Sequence, residues 1–348
     1  MILDQMCADD YEQVIAFQNK ACGLRGFLVI HDTTLGPALG GVRVWRYASE
    51  ADALTDALRL ARGMTYKASI SELPCGGGKT VIMLHDGLQR TEAFEMLGRM
   101  IDSLGGRYFT GRDVGILDDD LKALGRTTHY VACESSPELG DISEHTAVGV
   151  WHAMRACLEF AGLQKARVVI QGAGSVGVHL ARILRREGME LLVADIDAAR
   201  AQSVANELGA KVIAPDEILA ADCDVLAPCA LGGVMNQQTV PRVKARIICG
   251  SANNVLATPE DGDALMRREI LYAPDYLVNA GGLIRGAEFY LLRRKESWGS
   301  LERIYHRMKR VIDVAREQNI STARAADQIA EAQLKRPKTY RDLHWGKA

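Results

Sequence analysis

Lys67 and Lys79 stand twelve residues apart, and Asp113 lies within the stretch Thr110-Gly111-Arg112-Asp113-Val114-Gly115. Each borders a segment with strand character, so all three are expected at loop–strand junctions, where they could surround one small substrate. One lysine would hold a carboxylate. The other, desolvated and beside a second cation, would lose its proton near neutral pH and act as a base. Spacing alone leaves a plainer alternative open, since a single Lys or Asp at a strand end is commonly a solvated surface group.

Lys79 closes a run of three glycines in ELPCGGGKTVIM, residues 72–83. A phosphate-binding loop would need a glycine five places before the glycine of its Gly-Lys pair, and a helix after it. Leu73 occupies that place, and Thr80-Val81-Ile82-Met83 reads as a strand. The phosphate reading fails on both counts. The glycines are expected to form a flexible loop leading into a buried strand.

A second constellation is Gly172-Ala173-Gly174-Ser175-Val176-Gly177, with Val178 continuing into a helical segment. An apolar strand precedes it. A second one, Leu191-Leu192-Val193-Ala194, ends at Asp195, 23 residues past Gly172. This spacing is that of a dinucleotide site: glycines let backbone approach a pyrophosphate, the helix N-terminus offers free N–H groups, and the acid accepts from ribose hydroxyls. Asp195 would repel a 2′-phosphate, which favours NAD over NADP, although Arg200 lies nearby. A tight strand–helix turn without a ligand is the bland alternative. Cys229 and Ala230 in PCALGG, and Ala252 in GSANN, follow later strands at their C-terminal ends and are candidates for further cofactor contacts. His145 and His152 lack the Arg or Asp partner that a hydroxy-acid dehydrogenase would show.

The elements that must position these residues follow from periodicity. Residues 26–31 and 42–47 read as strands. Ser49 reads as an N-cap with Asp52 three places on, and Ala53, Leu54, Ala57, Leu58 and Ala61 form a helical stripe closed by Gly63. Strands are expected at 79–84 and 107–110, and a helix at 91–104. From a helix at 146–160 onward, short apolar strands alternate with helical or polar segments, as in a parallel sheet covered on both faces. The fold class is thus α/β: an N-terminal α/β substrate domain, then a Rossmann-type doubly wound domain, with a cleft between them. The polar stretch ESSPELGDISE, residues 134–144, marks the boundary. Residues 1–134 would form the substrate and oligomerisation domain, joined by a C-terminal helix at about 320–348, and residues 135–319 the cofactor domain.

Bulk properties narrow the class further. With 348 residues, 48% hydrophobic and 25% charged, the chain can bury cores without staples. A formal net charge of −2 gives no broad pull toward nucleic acid or anionic membrane. No apolar run suits a membrane span, and the N-terminus carries acids where a signal peptide carries basic residues. Eight cysteines without a CxxC pair or zinc spacing fit reduced thiols in the cytoplasm and no metal site.

Taken together the motifs resemble the glutamate, leucine, phenylalanine and valine dehydrogenase family, and within it the leucine dehydrogenases. The resemblance runs over about residues 10–330. It is carried by IHDTTLGPALGG, DALRLARGMTYK, GGGKTVI, GRDVG, GAGSVG, APCALGG, GSANN and YAPDYLVNAGGLI. It implies NAD-dependent reversible oxidative deamination of an L-amino acid to a 2-oxo acid and ammonia, and a homo-oligomer of at least two chains. It assigns Lys79 as the base that activates water, Lys67 as the grip on the substrate carboxylate, and Asp113 as the proton carrier at the amino nitrogen. Thr146, Asn253 and Asn279 would lie near nicotinamide and substrate, and Leu39, Gly40, Met64, Gly111, Leu283 and Gly286 would line the side-chain pocket. Leu39 stands where glutamate dehydrogenases carry a lysine, so an apolar substrate is expected: leucine or another branched chain. Gly111 and Gly286 are smaller than their leucine-dehydrogenase counterparts, which keeps phenylalanine or tryptophan open. Arg285 and the 134–145 segment depart from that pattern. A cofactor-binding sensor without catalysis is the remote alternative.

Overall fold

The computed structural model describes residues 2–132 and 138–335. The chain divides into two compact units. One contains the residues up to Leu139 together with the chain from Glu331 on, and the other is Gly140–Ala330. The expected boundary at 134/135, and the end of the expected C-terminal helix beyond 335, lie outside the described residues.

The first unit contains α1 (Ile2–Ala8), β1 (Gln13–Asn19), β2 (Leu24–Asp32), β3 (Ala38–Leu39) and β4 (Val42–Trp45). It continues with α2 (Glu50–Ile70), β5 (Gly76–Met83), α3 (Arg90–Asp102), β6 (Tyr108–Phe109) and α4 (Asp118–Gly125). Its sheet is mixed, in the order β1-β2-β5-β3-β6 with β4 also paired to β5. β2 runs antiparallel to both β1 and β5, and the other pairs are parallel.

Helix α2 begins as its sequence predicts. The Ser49 hydroxyl accepts from the Asp52 amide at 3.1 Å, and the Ala53–Ala61 stripe is buried against Phe27, Val29 and Val81 of the sheet. It does not stop at Gly63. That glycine faces open space, with nothing within 4 Å of where a Cβ would sit, and a helical glycine costs only about 0.5–1 kcal/mol. The next turns bury Thr65, Tyr66, Ala68, Ser69 and Ile70, which outweighs that cost. The helix ends at Ser71, beside Glu72 at φ 53°.

The three glycines before Lys79 also differ from expectation. They form the start of β5 rather than a flexible loop, and all eight residues of the strand are buried. A Cβ on Gly76 would lie 1.8 Å from the Asp32 carbonyl, and one on Gly77 would lie 2.1 Å from the Thr65 amide. Close approach of β5 to β2 and α2 requires these glycines.

The second unit contains α5 (Ile142–Phe160), β7 (Arg167–Gln171), α6 (Ser175–Arg186), β8 (Glu190–Ala194), α7 (Ala198–Leu208), β9 (Lys211–Val212) and β10 (Val225–Pro228). After these come β11 (Ile247–Ile248), α8 (Pro259–Arg267), β12 (Leu271–Tyr272), α9 (Asp275–Val278), α10 (Gly281–Tyr290), α11 (Trp298–Gln318) and the start of α12 (Thr322–Leu334), whose residues from Glu331 on belong to the first unit. The sheet is wholly parallel, in the order β12-β11-β10-β7-β8-β9. The order reverses at β7, and open α/β sheets bind ligands at such a switch point, beyond the strands' C-terminal ends. Helix α5 starts earlier than expected because Asp141 caps it, accepting from the Ser143 amide at 2.7 Å. The C-terminal helix expected at about 320–348 begins at Thr322 as α12, after α11 and a break at Asn319, which adopts φ 53°. Among the described residues no helix is long and apolar enough to cross a membrane.

Candidate active site

Lys79 sits in mid-strand rather than at a loop junction. Its backbone pairs with Val29 of β2, and its side chain is almost wholly buried. The strand points its ammonium at the loop after β6. That loop is fastened to β4 by hydrogen bonds from the Val42 amide to the Gly111 carbonyl and from the Val44 amide to the Val114 carbonyl, both 2.9 Å. Asp113 is thereby held with Oδ2 2.8 Å from Lys79 Nζ. Burial pushes the lysine below its ordinary range, with Arg43 acting the same way and Asp113 opposing. Burial also pushes the Asp113 carboxyl up, but Lys79 and Arg43 together bring it below the usual carboxylate range. The result is a carboxylate that stays ionised beside an amine that gives up its proton more readily than a free lysine.

Arg43 was not singled out by spacing, and neither was its second partner, Asp56. Arg43 Nε donates to Asp113 Oδ2 at 2.9 Å, and Nη1 donates to Asp56 Oδ2 at 3.0 Å. The alternation in Val42-Arg43-Val44-Trp45 was the available signal, because it put a charged side chain on one face of a half-buried strand. Nothing in a spacing of 70 residues tells which acid it meets.

Lys67 lies in the last turn of α2, half-buried, one turn beyond Met64 on the same face. Leu39 pairs with Gly77, which packs on the Thr65 amide beside Met64. Gly40 is required by packing, because a Cβ there would lie 1.7 Å from the Gly78 carbonyl. The Gly40 carbonyl accepts from the Tyr108 hydroxyl at 2.6 Å, and that hydroxyl accepts from Thr80 at 3.0 Å. A Cβ on Gly111 would touch the Ala132 side chain at 3.3 Å.

In the second unit the glycine loop follows β7. Gly172 has φ 106°, and a Cβ on Gly177 would lie 2.0 Å from the Gly172 carbonyl. Gly174 is the N-cap of α6 with no side-chain cap, so the first-turn amides of Ser175, Val176 and Gly177 receive no capping side chain; Val178 bonds back to the Gly174 carbonyl. Nothing lies within 4 Å of a Cβ on Gly174. Asp195 Oδ2 accepts from the Ala173 amide at 2.7 Å, which ties the acid to the loop. The turn after β10 adjoins it: a Cβ on Gly172 would lie 3.0 Å from both Ala230 Cβ and the Cys229 carbonyl. Ala252 after β11 donates to the Pro228 carbonyl at 2.9 Å. Asn279 Nδ2 donates to Asn253 Oδ1 at 2.9 Å and lies 3.1 and 3.3 Å from the Ser251 and Ala252 carbonyls. Its Oδ1 is buried with no partner among the described residues. An open cradle over helix N–H groups, an acid at the end of β8 and an orphaned amide oxygen fit a nicotinamide dinucleotide, whose carboxamide N–H would satisfy that oxygen.

Residues 11–136 match the family model described as Glu/Leu/Phe/Val dehydrogenase, dimerisation domain, and residues 192–336 match Glutamate/Leucine/Phenylalanine/Valine dehydrogenase. The chain belongs to this family. Glu/Leu/Phe/Val dehydrogenases are amino acid oxidoreductases that work with NAD or NADP. The chain is 46% identical to the leucine dehydrogenase of Geobacillus stearothermophilus, over 93% of this chain and 91% of the relative. It is 40% identical to the phenylalanine dehydrogenase of Thermoactinomyces intermedius, over 96% and 94% respectively. The crystal structure of L-tryptophan dehydrogenase from Nostoc punctiforme superposes with a TM-score of 0.86 at 37% identity, covering 95% of this chain and 98% of that one.

As a family member the chain places its remaining candidates on α5 and α10. A Cβ on Gly282 would lie 3.0 Å from Thr146 Oγ1, so Thr146 stands at the start of α10. Leu283 and Gly286 follow three residues apart on that helix, and nothing lies within 4 Å of a Cβ on Gly286. Arg285 points elsewhere. It is buried, donates to the Arg294 carbonyl at 3.2 Å, and stacks its guanidinium over Phe289.

Proposed function

We propose that this chain is an NAD-dependent dehydrogenase that reversibly deaminates apolar L-amino acids, with leucine and its branched-chain relatives first. The observation that carries this reading is the buried Lys79–Asp113 pair, whose lysine sits below its ordinary range. Lys67 would hold the substrate carboxylate. Asp113 would take a proton from the amino nitrogen as the Cα–H bond breaks, leaving an iminium. Bound NAD supplies the hydride acceptor, held by the glycine loop, Asp195 and Asn279. Neutral Lys79 would then take a proton from water as its oxygen adds to the imine carbon. Asp113 would return its proton to nitrogen, and Lys79, after passing its proton to solvent, would take the carbinolamine's hydroxyl proton as the C–N bond breaks, releasing ammonia and the 2-oxo acid. We assign the substrate and oligomerisation role to residues 1–134 with the C-terminal helix, and the cofactor role to residues 135–319. A homo-oligomer and a cytoplasmic setting belong to the same reading; the name of the matched N-terminal family model and the seven free cysteines among the described residues support them.

Loss of NADH absorbance with a panel of 2-oxo acids plus ammonium tests the whole reading. Turnover is expected with 4-methyl-2-oxopentanoate and its branched relatives. No turnover with any of them, or 2-oxoglutarate as the best substrate, refutes it.

Two further results are expected. Wild type should prefer NAD to NADP, and Asp195→Ala should narrow the ratio of kcat/KM by roughly ten- to a hundredfold, the value of bonds to a charged acceptor. NAD use should itself weaken, because Asp195 also holds the Ala173 amide. A wild type that uses both cofactors equally removes the ribose assignment. The open space at Gly286 favours a second activity on aromatic side chains. Gly286→Val should fill that space and lower the phenylalanine-to-leucine rate ratio by roughly tenfold, since a methylene or two in a pocket is worth about 1–3 kcal/mol. Equal losses for both substrates would show that the glycine serves the backbone instead.

A further inference from the structure

Arg43 stands on β4 between two carboxylates. Its Nε reaches Asp113 Oδ2 at 2.9 Å, the same oxygen that Lys79 Nζ reaches at 2.8 Å. Its Nη1 reaches Asp56 Oδ2 at 3.0 Å. Asp56, on α2, is fixed in turn by the Tyr47 hydroxyl at 2.6 Å and by Arg59 Nη2 at 3.0 Å. Charge therefore alternates along one line: Lys79, Asp113, Arg43, Asp56, Arg59. Arg43 and Asp56 expose only 20% and 17% of their side chains, so solvent screens the line weakly until it reaches Arg59.

We propose that Arg43 is a positioning residue of the deamination, holding Asp113 against Lys79 and dividing that carboxylate's charge between two cations. The inference rests on Lys79 as base and Asp113 as proton carrier. A buried carboxylate alone at 2.8 Å from an ammonium would hold its proton tightly and undo the effect of burial. Arg43 draws on the same oxygen and repels the lysine's charge, so the amine is left readier to lose its proton. Both bonds fall on Oδ2, which leaves Oδ1 for the substrate nitrogen. Arginine suits the place because its planar fork spans both acids in one fixed geometry, whereas an ammonium is a single point charge. Among the described residues the titratable and charged groups facing the pair are Arg43 from β4, Tyr47 just after it, Asp56 from α2 and Tyr108 from β6.

The test is the pH dependence of kcat/KM for leucine oxidation. The neutral amine is the working form of Lys79, so the rate falls as pH drops through the lysine's titration. Arg43→Gln removes a cation and should move this acid limb to higher pH by about one unit, a tenfold loss below the limb that closes at high pH. Arg43→Lys restores the charge and should restore the limb, with a smaller loss at every pH. Asp56→Asn removes an anion and should move the limb the opposite way, to lower pH; it also serves if Arg43→Gln does not fold. A merely structural role predicts uniform losses with unmoved limbs in both variants, and that result overturns the proposal. If the wild-type limb persists in Lys79→Ala, the base reading falls and this inference with it. An unmoved limb in Arg43→Gln, with the limb still dependent on Lys79, refutes the Arg43 role alone.

Discussion

Lys79→Ala is expected to lower turnover by ~10²–10⁴-fold, the usual range for loss of general acid–base catalysis, while NADH binding stays close to wild type. The two effects separate because the lysine belongs to one compact unit and the glycine loop with Asp195 to the other. Titration of NADH fluorescence checks binding, and the absorbance assay checks rate. Lys79→Arg should be no better than alanine, since a guanidinium does not give up its proton in this pH range. In wild type, kcat/KM should rise with pH through a midpoint below that of an ordinary lysine, because burial penalises the charged form. Turnover within a few fold of wild type in Lys79→Ala would remove the lysine from the mechanism. Lost NADH binding in the same variant would instead mean that the substitution had disturbed the fold.

Much of the architecture was legible because it follows from short-range rules. The alternation of apolar strands and helices after residue 160 pointed to the parallel sheet, and the glycine loop with Asp195 23 residues on pointed to a dinucleotide site at its strand ends. Lys79 and Asp113 stood out as charged residues bordering apolar strands, and the structure brings them within 2.8 Å. What the sequence did not yield depends on partners far along the chain. Gly63 carries the local signal for a helix stop, yet tertiary burial of the next two turns carries α2 on to Ile70. Lys67 consequently lies on a helix, not in a loop. Arg43 reads in the sequence only as part of the strand at 42–47, because its acids are 13 and 70 positions away. The glycines at 76–78 looked flexible because local rules read three glycines as freedom, when their purpose here is close approach.

That difference yields the last expected result. Gly77→Ala should destabilise the protein by about 3 kcal/mol or more and abolish activity, whereas Gly63→Ala should raise stability by roughly 0.5–1 kcal/mol. The two glycines differ in surroundings, not in chemistry. A Cβ at Gly77 would lie 2.1 Å from the Thr65 amide, 2.4 Å from its hydroxyl and 2.7 Å from the Ala61 carbonyl. Two of these are backbone atoms of a buried helix and cannot swing aside. Relief would require α2 to move off β5. Thr65 would then lose its 2.8 Å bond to His31, and Lys79, two residues along the strand, would shift from Asp113. At Gly63 nothing stands in the way, so an added methyl only removes backbone freedom from the unfolded chain. Thermal melts of the two variants beside wild type check both signs, with a kcal/mol worth roughly 2–4 °C in a domain of 150–250 residues. A Gly77→Ala melt within a degree of wild type would show that the strand has room for a side chain, and the close-approach account of GGGK would be wrong.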